Sequence, residues 1–237
     1  MAEIGRNDLS DKAGRTGFLC GPAASPMPVQ RAEKHAAARP AAKRERLSNI
    51  SLTPREEHIF ELAEPYLRTK ENQRHTTNAL AFAIELLQRY AGDRDVVAPA
   101  VILHDVGCGL SEKSIAEAQA ARADRLSLVR MHEKEGVRIA RDILREAGCD
   151  TRTATEIIAI IDGHDTRISS LSLNDEIVKD ADKLTRYSGS FGFVLQESGM
   201  PRNDFVALLE YAVDKWFFLD LSREMARSEL AARRTED

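Results

Sequence analysis

Four of the six histidines, His75, His104, His132 and His164, are spread through the body of the chain, and aspartate follows two of them directly, at Asp105 and Asp165. A further aspartate, Asp182, lies in the run Lys179-Asp180-Ala181-Asp182-Lys183-Leu184. Neutral imidazole together with carboxylate suits Fe, Mn, Co, Ni or Zn better than Ca. An adjacent His-Asp pair at a helix end directs its two side chains about 100° apart, so both can reach a metal lodged against that terminus. Side chains far apart in sequence can meet in this way when facing helices form a bundle, as in ferritin-like dimetal proteins.

The elements that would position them read as helices. Thr53-Pro54-Arg55-Glu56 supplies an N-cap, a proline at the first helical position and a capping-box glutamate, so a helix starts near residue 54. His75, Ala79, Phe82, Leu86 and Leu87 keep helical spacing in a second. Asp95 to His104 is short and apolar with Pro99 tolerable near its first turn, and Val129 to Ala147 is charged outside and apolar inside, with Gly148 as its stop. Thr153 to Asp162, Asn174 to Tyr187 with Asn174 as cap, and one long helix from Asp204 to Leu230 complete the set. No strand alternation, repeat or glycine-rich phosphate loop interrupts them. The expected fold class is all-α, a helical bundle.

The 237 residues are 43% hydrophobic and 30% charged, the balance of a globular protein in water. The net charge of −4 divides unevenly: residues 1–50 carry +4 and residues 51–237 carry −8. The first 50 residues, rich in Ala, Pro and Arg, are expected to be a disordered basic tail, and residues 51–237 the functional domain. A tail of +4 without interleaved aromatics is a weak nucleic-acid signal, so nucleic acid is not an expected partner. The longest apolar stretch, Val96–Leu103, is far below the roughly 20 residues of a membrane-spanning helix. Cys20, Cys108 and Cys149 suit reduced thiols and a cytoplasmic location. A homo-oligomer is compatible with the aromatic group Trp216, Phe217 and Phe218, for which core packing is the default.

The order His, His-Asp, distant Asp on an all-α body resembles the HD-domain superfamily of metal-dependent phosphohydrolases. The resemblance spans roughly Arg74 to Tyr187 and rests on Arg-His-Thr at His75, Val-Ile-Leu-His-Asp-Val-Gly at His104-Asp105, and Val-Lys-Asp-Ala-Asp-Lys-Leu at Asp182. His132 in Arg-Met-His-Glu and His164 in Asp-Gly-His-Asp are similar to the branch that holds two metals. It implies a first ion held by His75, His104, Asp105 and Asp182, and a second held by His132 and His164 with Asp105 bridging. Asp105 and His132 would then stand closest to the chemistry. Its implied reaction is hydrolysis of a phosphomonoester or phosphodiester, most plausibly of a nucleotide, by metal-bound hydroxide; two ions about 3.5–4 Å apart both activate water and clamp phosphoryl oxygens.

Departures narrow the resemblance. Where many members continue His-Asp-x-x-Lys, Cys108 stands here, so that lysine's phosphate contact is either absent or moved, with Lys113, Arg130, Lys183 and Arg186 as the candidates. The Glu-Asp pair of guanosine tetraphosphate hydrolases and the Gly-Tyr-Pro signature of cyclic dinucleotide phosphodiesterases are missing. A mixed-valence di-iron oxygenase and a non-catalytic nucleotide sensor are the rival readings. His132 and His164 could instead contact substrate, and Asp165 could cap a turn or orient His164 through its other ring nitrogen. Asp180 is expected at the surface, and His35 and His58 are expected to be solvated or packing residues. Residues 107–128 and 166–173 would shape the rim of the site.

Overall fold

A computed structural model describes residues 51–67, 70–108 and 125–234. Helix α1 (Pro54–Ala63) begins at the anticipated capping box: the Thr53 N–H donates to Glu56 and the Glu56 N–H returns to Thr53 Oγ1. A short 3-10 turn (Glu64–Tyr66) follows, then α2 (Lys70–Arg89), α3 (Arg94–Leu103), α4 (Arg125–Glu146), α5 (Thr151–Ile161), α6 (Leu173–Tyr187), α7 (Phe191–Ser198), α8 (Arg202–Trp216) and α9 (Asp220–Arg234). The described residues contain no strand, so the domain is all-α as expected. Among them no helix is long and apolar enough to cross a membrane.

Helix α3 is the axis of the bundle. Every residue from Val96 to Leu103 is buried, because α1, α2, α5 and α6 pack around it, as a helix that is apolar on all faces requires. Asp93 caps its start, and Glu56 ties it to α1 by taking Nε and Nη2 of Arg94 at 2.7 and 2.8 Å. The helix ends at His104-Asp105, so this pair emerges in the middle of the core. Helix α2 lies along α6 as its main neighbour and brings His75 to the same place. The turn after Asp105 touches α4 backbone to backbone: a Cβ at Gly107 would collide with the His132 carbonyl oxygen and with Gly136.

Three local expectations need correction. Helix α6 is capped by Ser172, whose Oγ accepts the Asp175 N–H, and not by Asn174; Asn174 Oδ1 instead accepts the Asp93 N–H. The single helix expected over Asp204–Leu230 is two, α8 and α9. Asp180, expected at the surface, is fully buried and accepts the N–H groups of Phe218 and Leu219 at 3.0 and 2.9 Å, offering the backbone an alternative to helical pairing at that corner. Phe217 turns extended there and enters the core with Leu219, while Trp216 and Phe218 pack at its margin. Helix α7, absent from the sequence reading, is only eight residues long, too short for periodicity to reveal. The basic tail, His35, Lys113 and most of the 107–128 rim lie outside the described residues.

Candidate metal centre

All six expected ligands converge. His75 from α2, His104 and Asp105 after α3, His132 from α4, His164 after α5 and Asp182 from α6 are each at most 7% exposed. The four imidazoles form a row, with ring centroids 5.2 Å apart from His75 to His104, 5.3 Å from His104 to His164 and 5.2 Å from His164 to His132. His132 is 1% exposed and so does not face solvent.

The hydrogen bonds define the tautomers. His104 Nδ1 lies 2.7 Å from the Val101 carbonyl and His164 Nδ1 3.0 Å from the Ile161 carbonyl. A carbonyl only accepts, so each Nδ1 carries the proton and each Nε2 presents a lone pair. For His75, Thr185 does the same work: its hydroxyl donates to the Asp182 carbonyl at 2.7 Å and so accepts from His75 Nδ1 at 3.1 Å.

The lone pairs point inward, where nothing in the protein satisfies them. His75 Nε2 and His104 Nε2 face each other at 3.1 Å, an arrangement two acceptors hold only with a cation or a proton between them. Two ligands of one ion at about 2.1 Å each stand about this far apart. His75 Nε2 is also 3.2 Å from Asp182 Oδ1 and 3.5 Å from Asp105 Oδ2, and the donor atoms of His75, His104 and Asp182 lie within 4.8 Å of one another. On the other side, His132 Nε2 and His164 Nε2 are buried without a hydrogen-bond partner. They stand 3.8 and 3.6 Å from Asp105 Oδ1. Buried polar atoms left unpaired are rare enough to mark a missing partner, and this donor set fits divalent transition metals.

Electrostatics agree. Burial raises the Asp105 carboxyl, but the surrounding histidines outweigh it and hold the group well below the usual carboxylate range. Burial works against charge on His164, yet Asp165 and Asp105 push it up to about 10. Burial, with His164 nearby, lowers His132. Asp182 is held low, against its burial, by Arg186 and His75. The carboxylates thus draw positive charge into a dry space, and divalent ions supply it more directly than protons on the imidazoles.

Of the expected phosphate contacts among the described residues, Arg186 is the one beside these groups: Nη2 is 3.3 Å from Asp182 Oδ2 and 3.9 Å from Asp165 Oδ1, and Nε is buried without a hydrogen-bond partner. Lys183 points away, donating to the Trp216 carbonyl at 2.9 Å. Arg130 is engaged elsewhere, with Glu133 at 2.7 Å and Asp162 at 2.6 Å. The Cys108 sulfur lies 3.2 Å from Asp105 Oδ1. Of the three cysteines expected as reduced thiols, Cys149 is free and Cys20 lies outside the described residues.

Sequence reasoning missed Glu133. It is fully buried and accepts the N–H groups of Asp165 and Thr166 and the Thr166 hydroxyl, fastening the loop of His164 to the helix of His132. The run His132-Glu133 contained the signal, a carboxylate expected to need partners if buried. Gly163, at φ 110°, makes the turn that aims His164 inward. Asp165 does not touch Nδ1 of His164, as one alternative had it, but faces Nε2 at 3.5 Å.

Comparison with the curated proteins and with the solved structures gives no match. The family model of the HD domain matches residues 73–187, the stretch from the turn before His75 to the end of α6 that contains every residue of this cluster. That match, on an all-α body, is consistent with the HD-domain superfamily of metal-dependent phosphohydrolases.

Proposed function

We propose that this protein is a two-metal phosphohydrolase that cleaves a phosphomonoester or phosphodiester of a nucleotide. The observation that carries the reading is the division of Asp105: Oδ2 faces His75 and His104 at 3.5 and 3.3 Å, while Oδ1 faces His164 and His132. A carboxylate placed so between two histidine pairs could serve an ion on either side of it. His75, His104, Asp105 and Asp182 would hold one ion, and His132, His164 and Asp105 the other. Such a pair supplies an activated water and charge neutralisation at phosphorus.

The chain's own side chains do the rest. Val101, Ile161 and Thr185 keep three imidazoles in the tautomer that offers Nε2 inward. Arg186, with an uncommitted Nε beside Asp182 and Asp165, is the cation placed to take a phosphoryl oxygen. The buried surroundings of Asp105 raise the strength of every charge interaction with the substrate.

The test is phosphate release from a panel of nucleoside mono-, di- and triphosphates, and cleavage of a nitrophenyl phosphodiester, after loading with Mn, Fe, Co, Ni or Zn. Turnover with at least one metal is expected, falling at least about 100-fold in Asp105→Asn. Metal-loaded protein inert on every phosphoester, or Asp105→Asn at full activity, overturns the reading.

A further inference from the structure

We infer that Asp165 is a terminal carboxylate ligand of the second ion, the counterpart of Asp182 at the first. This rests on the two-metal reading above and extends it to a residue outside the six ligands that the resemblance implies.

Three observations converge. Asp165 Oδ2 stands 3.5 Å from His164 Nε2 and 3.8 Å from His132 Nε2, and the donor atoms of these three residues lie within 4.8 Å of one another. Both of those Nε2 atoms, and His132 Nδ1, are buried without a hydrogen-bond partner. With Asp105 Oδ1 they enclose a space lined by two nitrogens and two carboxylate oxygens, the composition of the first half-site with His75, His104, Asp105 Oδ2 and Asp182 Oδ1. Arg186 then completes the parallel. Asp182 turns Oδ1 to the histidines and Oδ2 to Arg186 Nη2; Asp165 turns Oδ2 to the histidines and Oδ1 to the same Nη2.

The position of Asp165 is not a loop accident. Its backbone N–H is taken by Glu133 at 3.0 Å, and its neighbour Thr166 gives both N–H and hydroxyl to the same carboxylate. Glu133 is committed to this loop and to Arg130, so beside Asp105 it is Asp165 that turns a carboxylate oxygen to both imidazoles of this half-site. A third carboxylate makes the second site as hard and as anionic as the first, so both favour the same class of oxygen- and nitrogen-preferring divalent ion.

The experiment is Mn(II) titration of the whole protein followed by electron paramagnetic resonance, comparing wild type, Asp165→Asn, Asp165→Ala and Arg186→Gln, with near-ultraviolet circular dichroism as the check on fold. Wild type should bind two equivalents and show the spectrum of an exchange-coupled pair. Both Asp165 variants should keep one tight ion, lose at least about tenfold in affinity for the other, and show the six-line signal of isolated Mn(II). Arg186→Gln should keep the coupled pair. Two ions bound with wild-type affinity in a folded Asp165 variant overturn the assignment, as does the same loss in Arg186→Gln, which would place the role of Asp165 in holding the arginine. A wild type that takes up only one ion overturns the two-metal reading itself, and the wild-type arm alone reveals that failure.

Discussion

The carboxylate of Glu133, one residue after His132, accepts the backbone N–H of Asp165, one residue after His164. The two histidines expected at the second ion are thereby held to each other through their neighbours and not only through an ion. Loss of Glu133 leaves the Asp165 and Thr166 donors without their partner and takes one of two carboxylates from the Arg130 guanidinium, which keeps Asp162. Glu133→Ala should cost about 3 kcal/mol of stability in urea unfolding and weaken uptake of the second ion about 10- to 100-fold, leaving the first in place. Equal loss of both ions would show that Glu133 supports the whole bundle.

Thr185 offers a finer test, because its single proton goes to the Asp182 carbonyl and its oxygen is left to accept from His75. Thr185→Val matches its shape and removes the acceptor. The first ion should bind about 10- to 100-fold more weakly, measured by competition with a chelator, whereas Thr185→Ser should bind as wild type. A valine variant with unchanged affinity would mean that the His75 tautomer is set without this hydroxyl.

Gly107 should tolerate no side chain. A methyl group there meets the His132 carbonyl and the Gly136 backbone, so Gly107→Ala must push α4 away from the end of α3. About 1–3 kcal/mol of stability is lost, and the variant should bind one ion where wild type binds two. Full metal uptake by a folded Gly107→Ala protein would contradict this.

Asp180 gives a pH dependence with a defined sign. Burial pushes its carboxyl up to about 6, against the pull of the Phe218 and Leu219 N–H groups and Ser222. A carboxyl raised in the folded state favours folding while protonated, and that contribution is lost as pH rises from the unfolded value near 3.8 through 6. Asp180→Asn cannot ionise. Its stability relative to wild type should therefore improve by about 1–3 kcal/mol between pH 4 and pH 7.5, read from urea midpoints at each pH. A difference that does not change with pH would show that Asp180 titrates normally.

Much of the fold was legible because its signals are local: the Thr53–Glu56 capping box, the apolar run of α3 and the periodic faces of α2 and α4. That His75, His104, Asp105, His132, His164 and Asp182 belong together was legible for another reason, the order His, His-Asp, distant Asp that resembles the HD-domain pattern. What escaped depends on contacts between distant segments. Asp180 lies two residues from Asp182 and projects away from it, and only the approach of Phe218 and Leu219 turns that outward side into buried space. That same approach divides α8 from α9. Glu133 and Asp165 looked like ordinary charged neighbours of histidines until the α5–α6 loop folded onto α4. Arg130 and Lys183 were plausible phosphate contacts by charge alone, and their direction was decided by Glu133, Asp162 and the Trp216 carbonyl.

The convergence of α2, α3, α4, α6 and the loop after α5 on one dry space would make any ion bound there a cross-link of the fold. His75 and Asp182 are more than a hundred residues apart along the chain, yet both would attach to the same ion. An unfolded chain offers no such gathered site, so by mass action each tenfold excess of metal over its dissociation constant adds about 1.4 kcal/mol to the free energy of unfolding. The melting temperature of this protein should thus rise with the free metal concentration around it.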